Sequence, residues 1–225
     1  MSAKRIPFAG VRKAISERLS PGFHQALPVA LMTEFYADNL LAHRASAGKP
    51  SFTAYGVKAV ALALKKYPEM NITLEGGEIV YHEDINIAVG VNTPKGLRAP
   101  VIRNADQKTL REITLLIDEF AEKGKKGEIT LADQEGHSFT VTNLGMMDVK
   151  FFTPILNPPD CFILGIGRIE PRLELIISDS GDEKIVKKMM GNLTLVFDHR
   201  VVDGMPASRL LAEIKRLLEN PNELE

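Results

Sequence analysis

The densest group of chemically capable side chains is Phe197-Asp198-His199-Arg200-Val201-Val202-Asp203-Gly204. An apolar run from Gly191 to Phe197 precedes it and an amphipathic run follows from about Pro206. That spacing predicts His199 on a strand-to-helix loop, held by the elements on either side yet open to a reactant. A placed imidazole that removes a proton from an attacking nucleophile contributes ~10²–10⁴ in rate. Asp203, four residues on, has a second reading as half of a metal pair on one helix face. No further histidine or cysteine stands nearby in sequence to complete such a set, so metal is not expected. A structural alternative is that the two side chains only pair across a turn. The other histidines, His24, His43, His82 and His137, have no equally placed carboxylate and read as surface or packing residues. Cys161, the only cysteine, lies in the apolar run Cys161-Phe-Ile-Leu and reads as core, where a free thiol behaves as a small hydrophobe.

The flanking elements follow from periodicity and punctuation. The first twenty residues read as an amphipathic helix with Ile6, Phe8, Val11, Ala14 and Leu19 on one face, stopped by Pro21-Gly22. Pro28 to Tyr36 has the branched and aromatic bias of a long strand, and Asp38 begins a short helix ending near His43. Ser51 or Thr53 can cap a helix that ends at Tyr67, since the residue before Pro68 is pushed out of the helical region. Asn71 to Leu74, Gly76-Gly77 and Glu78 to Tyr81 form a hairpin pattern. Ile85 to Val91 reads as a strand buried on both faces, and Ala99 to Ile102 as another after the Thr93-Pro-Lys-Gly turn. Leu110, Ile113, Ile117 and Phe120 recur at helical spacing, and Lys123-Gly-Lys-Lys-Gly ends that helix. Strands are expected at Ser138–Thr142, Cys161–Ile166 and Gly191–Phe197, with a hairpin turn at Gly181-Asp182. A final helix carries Ala207, Leu210, Leu211, Ile214, Leu217 and Leu218 in one stripe. The expected fold class is α/β, a two-layer sandwich of helices on a mixed sheet.

Composition excludes several classes. The 225 residues carry Lys+Arg 28 against Asp+Glu 29, a net charge of −1. Such a balance argues against a nucleic-acid partner, which calls for a basic surplus. No apolar run approaches the ~18 residues of a membrane helix, and the first residues lack a signal-peptide core, so a cytoplasmic location is expected, or an organelle matrix if the chain is eukaryotic. At 44% hydrophobic and 25% charged, the chain has the make-up of a core-forming globular domain.

The 197–204 segment resembles the active-site signature of the dihydrolipoamide acyltransferases, the core subunits of 2-oxoacid dehydrogenase complexes. Their catalytic domains share the chloramphenicol acetyltransferase fold. The likeness runs in order through nearly the whole chain: Ser51-Phe-Thr-Ala-Tyr, Ala61 to Asn71, Ile85 to Leu97, Pro100 to Asp106, Phe139 to Met146, and Ile155 to Gly167. Three positions depart from the pattern. Pro28-Val29 stands for a frequent Pro-His, Gly136-His137 for a double glycine, and Met147-Asp148 for small residues near the acyl pocket.

The resemblance implies a single catalytic domain over 1–225, without the lipoyl and partner-binding domains of full-length members. It implies acyl transfer between the dihydrolipoamide thiol of a lipoyl domain and coenzyme A, with acetyl or branched-chain acyl favoured over succinyl. His199 would be the general base; a thiol near ~8.5 and an imidazole near ~6.5 leave the proton transfer uphill by only ~3 kcal/mol. Asp203 would hold the loop through an arginine of the first helix, Arg12 or Arg18. Thr142, which read alone is a strand residue, would be the oxyanion donor. The two thiols would exchange the acyl group directly, with no acyl-enzyme. The active site would be a channel between subunits of a trimer, with His199 and Thr142 on different chains, and trimers would assemble into a large hollow core. A decarboxylase and a dihydrolipoamide dehydrogenase would attach through the absent domains. Two alternatives stand beside this: an inert assembly scaffold of the same fold, and an acetyltransferase with a hydroxyl acceptor.

Overall fold

The computed structural model describes residues 3–94, 96–177 and 181–225. The elements in chain order are α1 (Val11–His24), β1 (Pro28–Tyr36), α2 (Asp38–Ser46), α3 (Phe52–Lys66), β2 (Ile72–Glu75), β3 (Glu78–Tyr81), β4 (Ile87–Val89), β5 (Val91–Thr93), β6 (Gly96–Arg98), β7 (Val101–Ile102), α4 (Leu110–Lys126), β8 (Phe139–Asn143), β9 (Phe162–Ile166), β10 (Glu170–Ile177), β11 (Glu183–Asp198) and α5 (Gly204–Glu219). Among the described residues the main sheet has seven strands in the order β1-β11-β9-β8-β4-β7, with β10 paired to the first half of β11. β8 runs parallel to both β4 and β9; the other pairings of the sheet are antiparallel. The sheet is therefore mixed, as the pattern predicts.

One face of the sheet carries the core. Phe139, Phe162 and Phe197 lie side by side across β8, β9 and β11, with ring centroids 5.8 and 6.5 Å apart. α3 packs over this face, apolar all round and buried along most of its length. That fits a helix with neighbours on every side, here α4, α5 and the sheet. Ser51 caps it, its hydroxyl accepting from Ala54 N at 3.1 Å, and Pro68 ends it as expected. All six stripe residues of α5 are buried. The opposite face is covered in part, where Ala26, Ile163, Leu156 and Val196 make a small second cluster.

Two helix boundaries differ from the sequence reading. Residues 3–9 are not helical; α1 starts at Val11 and leaves Ile6 and Phe8 exposed. Pro7 and the left-handed Gly10 (φ 62°) separate that segment from the helix. Nor does Pro21-Gly22 end α1, which continues to His24. Gly22 serves close packing instead, since a Cβ there would sit 2.2 Å from the Leu156 carbonyl oxygen. The predicted hairpin turn at Gly181-Asp182 is only partly within the described residues, as 178–180 lie outside them.

Candidate active site

His199 follows β11 directly and sits on the loop before α5, where the sequence places it. Its backbone N–H donates to the Leu27 carbonyl at 2.9 Å, and its ring lies 5.7 Å from that of Phe197. The imidazole is 44% exposed. What holds the loop is Asp198, whose side chain is 4% exposed. Its carboxylate accepts from Leu27 N (3.1 Å), Arg200 N (3.0 Å), Arg200 Nε (2.9 Å) and Arg200 Nη2 (2.6 Å). Burial alone would raise its pKa, but these donors outweigh that and hold it below the usual carboxylate range. The residues on both sides of His199 are thus tied to each other and to the start of β1.

Asp203 does not play that part within the chain. Its carboxylate is 87% exposed and comes no nearer than 4.0 Å to His199 Nδ1, too far for a hydrogen bond. Neither arginine of α1 reaches it. Arg18 donates to the side chain and carbonyl of Gln134, each at 3.4 Å, and Arg12 is exposed. Sequence reasoning missed Asp198 as the anchor. The signal was present: an Asp-x-Arg pair at a strand end puts opposite charges on the same side of the chain.

Thr142 lies on β8, half-buried, on the face away from α3. Its cross-strand neighbour on β9 is Gly165, and Gly90 lies so close on the other side that a Cβ there would be 3.1 Å from the Thr142 hydroxyl. The Phe152 ring stands over Gly165, filling the space where its side chain would be. Thr142 is level with Thr194 on β11 through Gly165. His199 is five residues beyond Thr194 and two strands across, which separates it from Thr142 by roughly 19 Å. One chain does not bring the two together.

His137 is a packing histidine, as one of its two readings had it, but it has the placed carboxylate that the sequence did not show. It is buried, and its Nδ1 meets Asp160 Oδ1 at 2.6 Å, a closer carboxylate than His199 has. Cys161 conforms to the core reading: it is 1% exposed, and burial pushes its thiol up to about 12. An apolar cleft of about 410 Å³, lined by Phe35, Leu40, Phe52, Met146, Ile166 and Met189 among others, contains neither His199 nor Thr142. No three His, Cys, Asp or Glu side chains among the described residues converge as a metal site requires. No helix among them is long and apolar enough to cross a membrane.

Against known families, residues 1–225 match the model of the 2-oxoacid dehydrogenases acyltransferase (catalytic domain). The chain belongs to this family. The Haemophilus influenzae dihydrolipoyllysine-residue succinyltransferase component of the 2-oxoglutarate dehydrogenase complex is 36% identical over 232 residues, which is 99% of this chain and 56% of that protein. The Bacillus subtilis acetyltransferase component of the pyruvate dehydrogenase complex is 39% identical over 227 residues, 96% of this chain and 50% of that protein. This acyltransferase-family chain thus spans about half the length of these relatives. Among solved structures, a probable dihydrolipoamide acetyltransferase from Listeria monocytogenes superposes with a TM-score of 0.89 at 35% identity, covering 97% of this chain and 95% of that one. The Azotobacter vinelandii dihydrolipoamide acetyltransferase, studied for the catalytic role of a serine, a histidine and an asparagine, gives 0.88 at 28%, covering 99% and 94%. A chloramphenicol acetyltransferase gives 0.58 at 16% over 90% and 94%, a likeness of fold alone. The expected fold is therefore the observed one.

Proposed function

We propose that the chain transfers an acyl group between the thiol of a dihydrolipoyl group, carried on a lipoyl domain, and coenzyme A. Its active sites lie between subunits, each with His199 from one chain and Thr142 from the next. The separation of the two residues within one chain carries this reading: each is open to a reactant, and only a second copy can complete the pair. The Azotobacter vinelandii relative supports the residue types, a hydroxyl and a histidine with a polar partner. The relatives' membership of dehydrogenase complexes supports a place in a multi-subunit assembly, which we take to be trimers joined into a larger hollow core. A decarboxylase and a dihydrolipoamide dehydrogenase would be the other components.

In the forward step the attacking sulfur bonds to the thioester carbonyl carbon while its proton passes to the His199 imidazole. Thr142 donates a hydrogen bond to the resulting oxyanion, a contact worth ~3–4 kcal/mol in transition-state stabilisation. Collapse breaks the original carbon–sulfur bond, and the departing thiolate takes the proton back from the imidazolium. No covalent acyl-enzyme forms. For Asp203, the first-helix arginine would come from a neighbouring chain, and the exposed Arg12 suits that role better than Arg18, which is engaged at Gln134.

The acyl group is taken to be small and uncharged, acetyl or branched-chain, although relatives include both acetyl and succinyl enzymes. Phe152 presents an aromatic wall beside Thr142. The cations one pleat further along that face are already engaged: Arg172 is bidentate to Glu34 at 2.6 Å, Lys150 is 2.8 Å from Glu170, and Arg168 pairs with Asp148 at 2.5 Å and with Glu170. A succinyl carboxylate would find no free counter-charge among these residues. Initial rates with acetyl-, isobutyryl- and succinyl-coenzyme A and free dihydrolipoamide check this, with chloramphenicol as a hydroxyl acceptor for comparison. We expect acetyl or isobutyryl to exceed succinyl by at least ~10-fold, and Phe152→Ala to shift preference toward the longer chain by ~10–200-fold, the span of a methylene-scale pocket change. Succinyl transfer as fast as acetyl would contradict the acyl assignment, and a preference for the hydroxyl acceptor would contradict the thiol reading.

A further inference from the structure

His137 and Asp160 stand 23 residues apart in sequence and meet in the interior, both almost wholly enclosed, with side chains 2% and 0% exposed. The second Asp160 oxygen accepts from the Thr140 hydroxyl at 2.5 Å. Asn157 closes the group, its amide donating to Thr140 Oγ1 at 3.1 Å and lying 3.4 Å from His137 Nε2. Burial pushes the Asp160 carboxyl up, with His137, Thr140 and Arg18 acting in the opposite direction. Thr140 is two residues before Thr142 on β8, so the two side chains share one face of the sheet.

The strand positions beside Thr142 are glycines, with the Phe152 ring standing over one of them. Gly165 flanks it on β9, and Gly90 adjoins it at the end of β4, its N–H donating to the Val141 carbonyl at 3.0 Å. Backbone pairing sets the register of β8, but the lateral position of the hydroxyl must be set elsewhere. One pleat away, the bonded group on Thr140 ties β8 to the 157–160 turn. We propose that His137, Asp160 and Asn157, acting through Thr140, are positioning residues that set where β8 presents the Thr142 hydroxyl. The inference rests on the reading of Thr142 as the oxyanion donor.

The test is a kinetic cycle on the assembled protein. Thr140→Val keeps the side-chain shape and removes the hydroxyl. It should lower kcat at least ~10-fold with the KM for coenzyme A unchanged, as expected for a displaced catalytic group. Thr140→Ser should restore kcat. In a Thr142→Ala background Thr140→Val should cost nothing further, because the two act through one hydroxyl. Should Thr140→Val fail to fold, Asn157→Ala, which leaves the Asp160 bonds to His137 and Thr140 in place, should show the same pattern with a smaller loss. A fold-intact variant with wild-type kcat, or a loss that adds in full to that of Thr142→Ala, would overturn the proposal. An unaffected Thr142→Ala would overturn the oxyanion reading and this inference together. A large loss in Thr142→Ala beside a silent Thr140→Val would overturn this inference alone.

Discussion

His199→Ala is expected to lower kcat for acyl transfer by ~10²–10⁴-fold while leaving the assembly intact, the range a positioned general base supplies. The argument is local. The imidazole is 44% exposed, contacts Phe197 and makes no side-chain hydrogen bond to another described residue, so alanine removes little packing. The loop is held by Asp198, which bonds to Arg200 and to the Leu27 N–H, and by the His199 backbone N–H on Leu27. None of these contacts involves the imidazole. The melting temperature should therefore stay within a few degrees of wild type, and the loss should appear in kcat. Stopped or steady-state thioester exchange between acetyl-coenzyme A and dihydrolipoamide measures it. A variant as fast as wild type would reject His199 as the base.

Thr142→Ala is the second large effect. Removing one oxyanion donor costs ~10²–10³ in kcat, about 2.7–4 kcal/mol. The KM values should change little, since the hydroxyl acts on charge that develops only in the transition state. The side chain is half-buried between two glycines, so truncation leaves only a small gap. A Thr142→Ser variant, which keeps the hydroxyl, should remain active. If alanine and threonine turn over equally, the oxyanion donor lies elsewhere.

Much of this was legible in the sequence where short-range rules decide. The His199 loop followed from an apolar run meeting an amphipathic one, and the α5 stripe from its spacing. Ser51 as a cap and Pro68 as a stop are local chemistry. The Gly76-Gly77 hairpin is likewise set by its turn. The misses are of another kind. α1 ran past Pro21-Gly22, and Gly22 instead packs against the carbonyl of Leu156, a contact more than a hundred residues away that no local rule shows. His137 read as a surface or packing histidine without a carboxylate because Asp160 is remote in sequence and reaches it only through the parallel pairing of β8 with β9. For the arginine of the first helix, the sequence left Arg12 and Arg18 open. The fold sends Arg18 to Gln134, and Asp203 meets no arginine among the described residues of its own chain. Asp198 was within reach of pattern reasoning, since the Asp-x-Arg spacing at a strand end places the two charges on one side of the chain. The proposed site could not be assembled from one sequence by spacing, because His199 and Thr142 are roughly 19 Å apart in one chain.

That separation gives the most direct test. Chains carrying His199→Ala and chains carrying Thr142→Ala would be co-expressed in equal amounts and the mixed assemblies assayed for acyl transfer. In a cyclic trimer each site takes His199 from one chain and Thr142 from its neighbour, so about a quarter of the sites in a random mixture have both residues intact. The account predicts recovery of about a quarter of wild-type turnover from two variants that are each nearly inactive alone. Mixed assemblies no more active than the separate variants would contradict it.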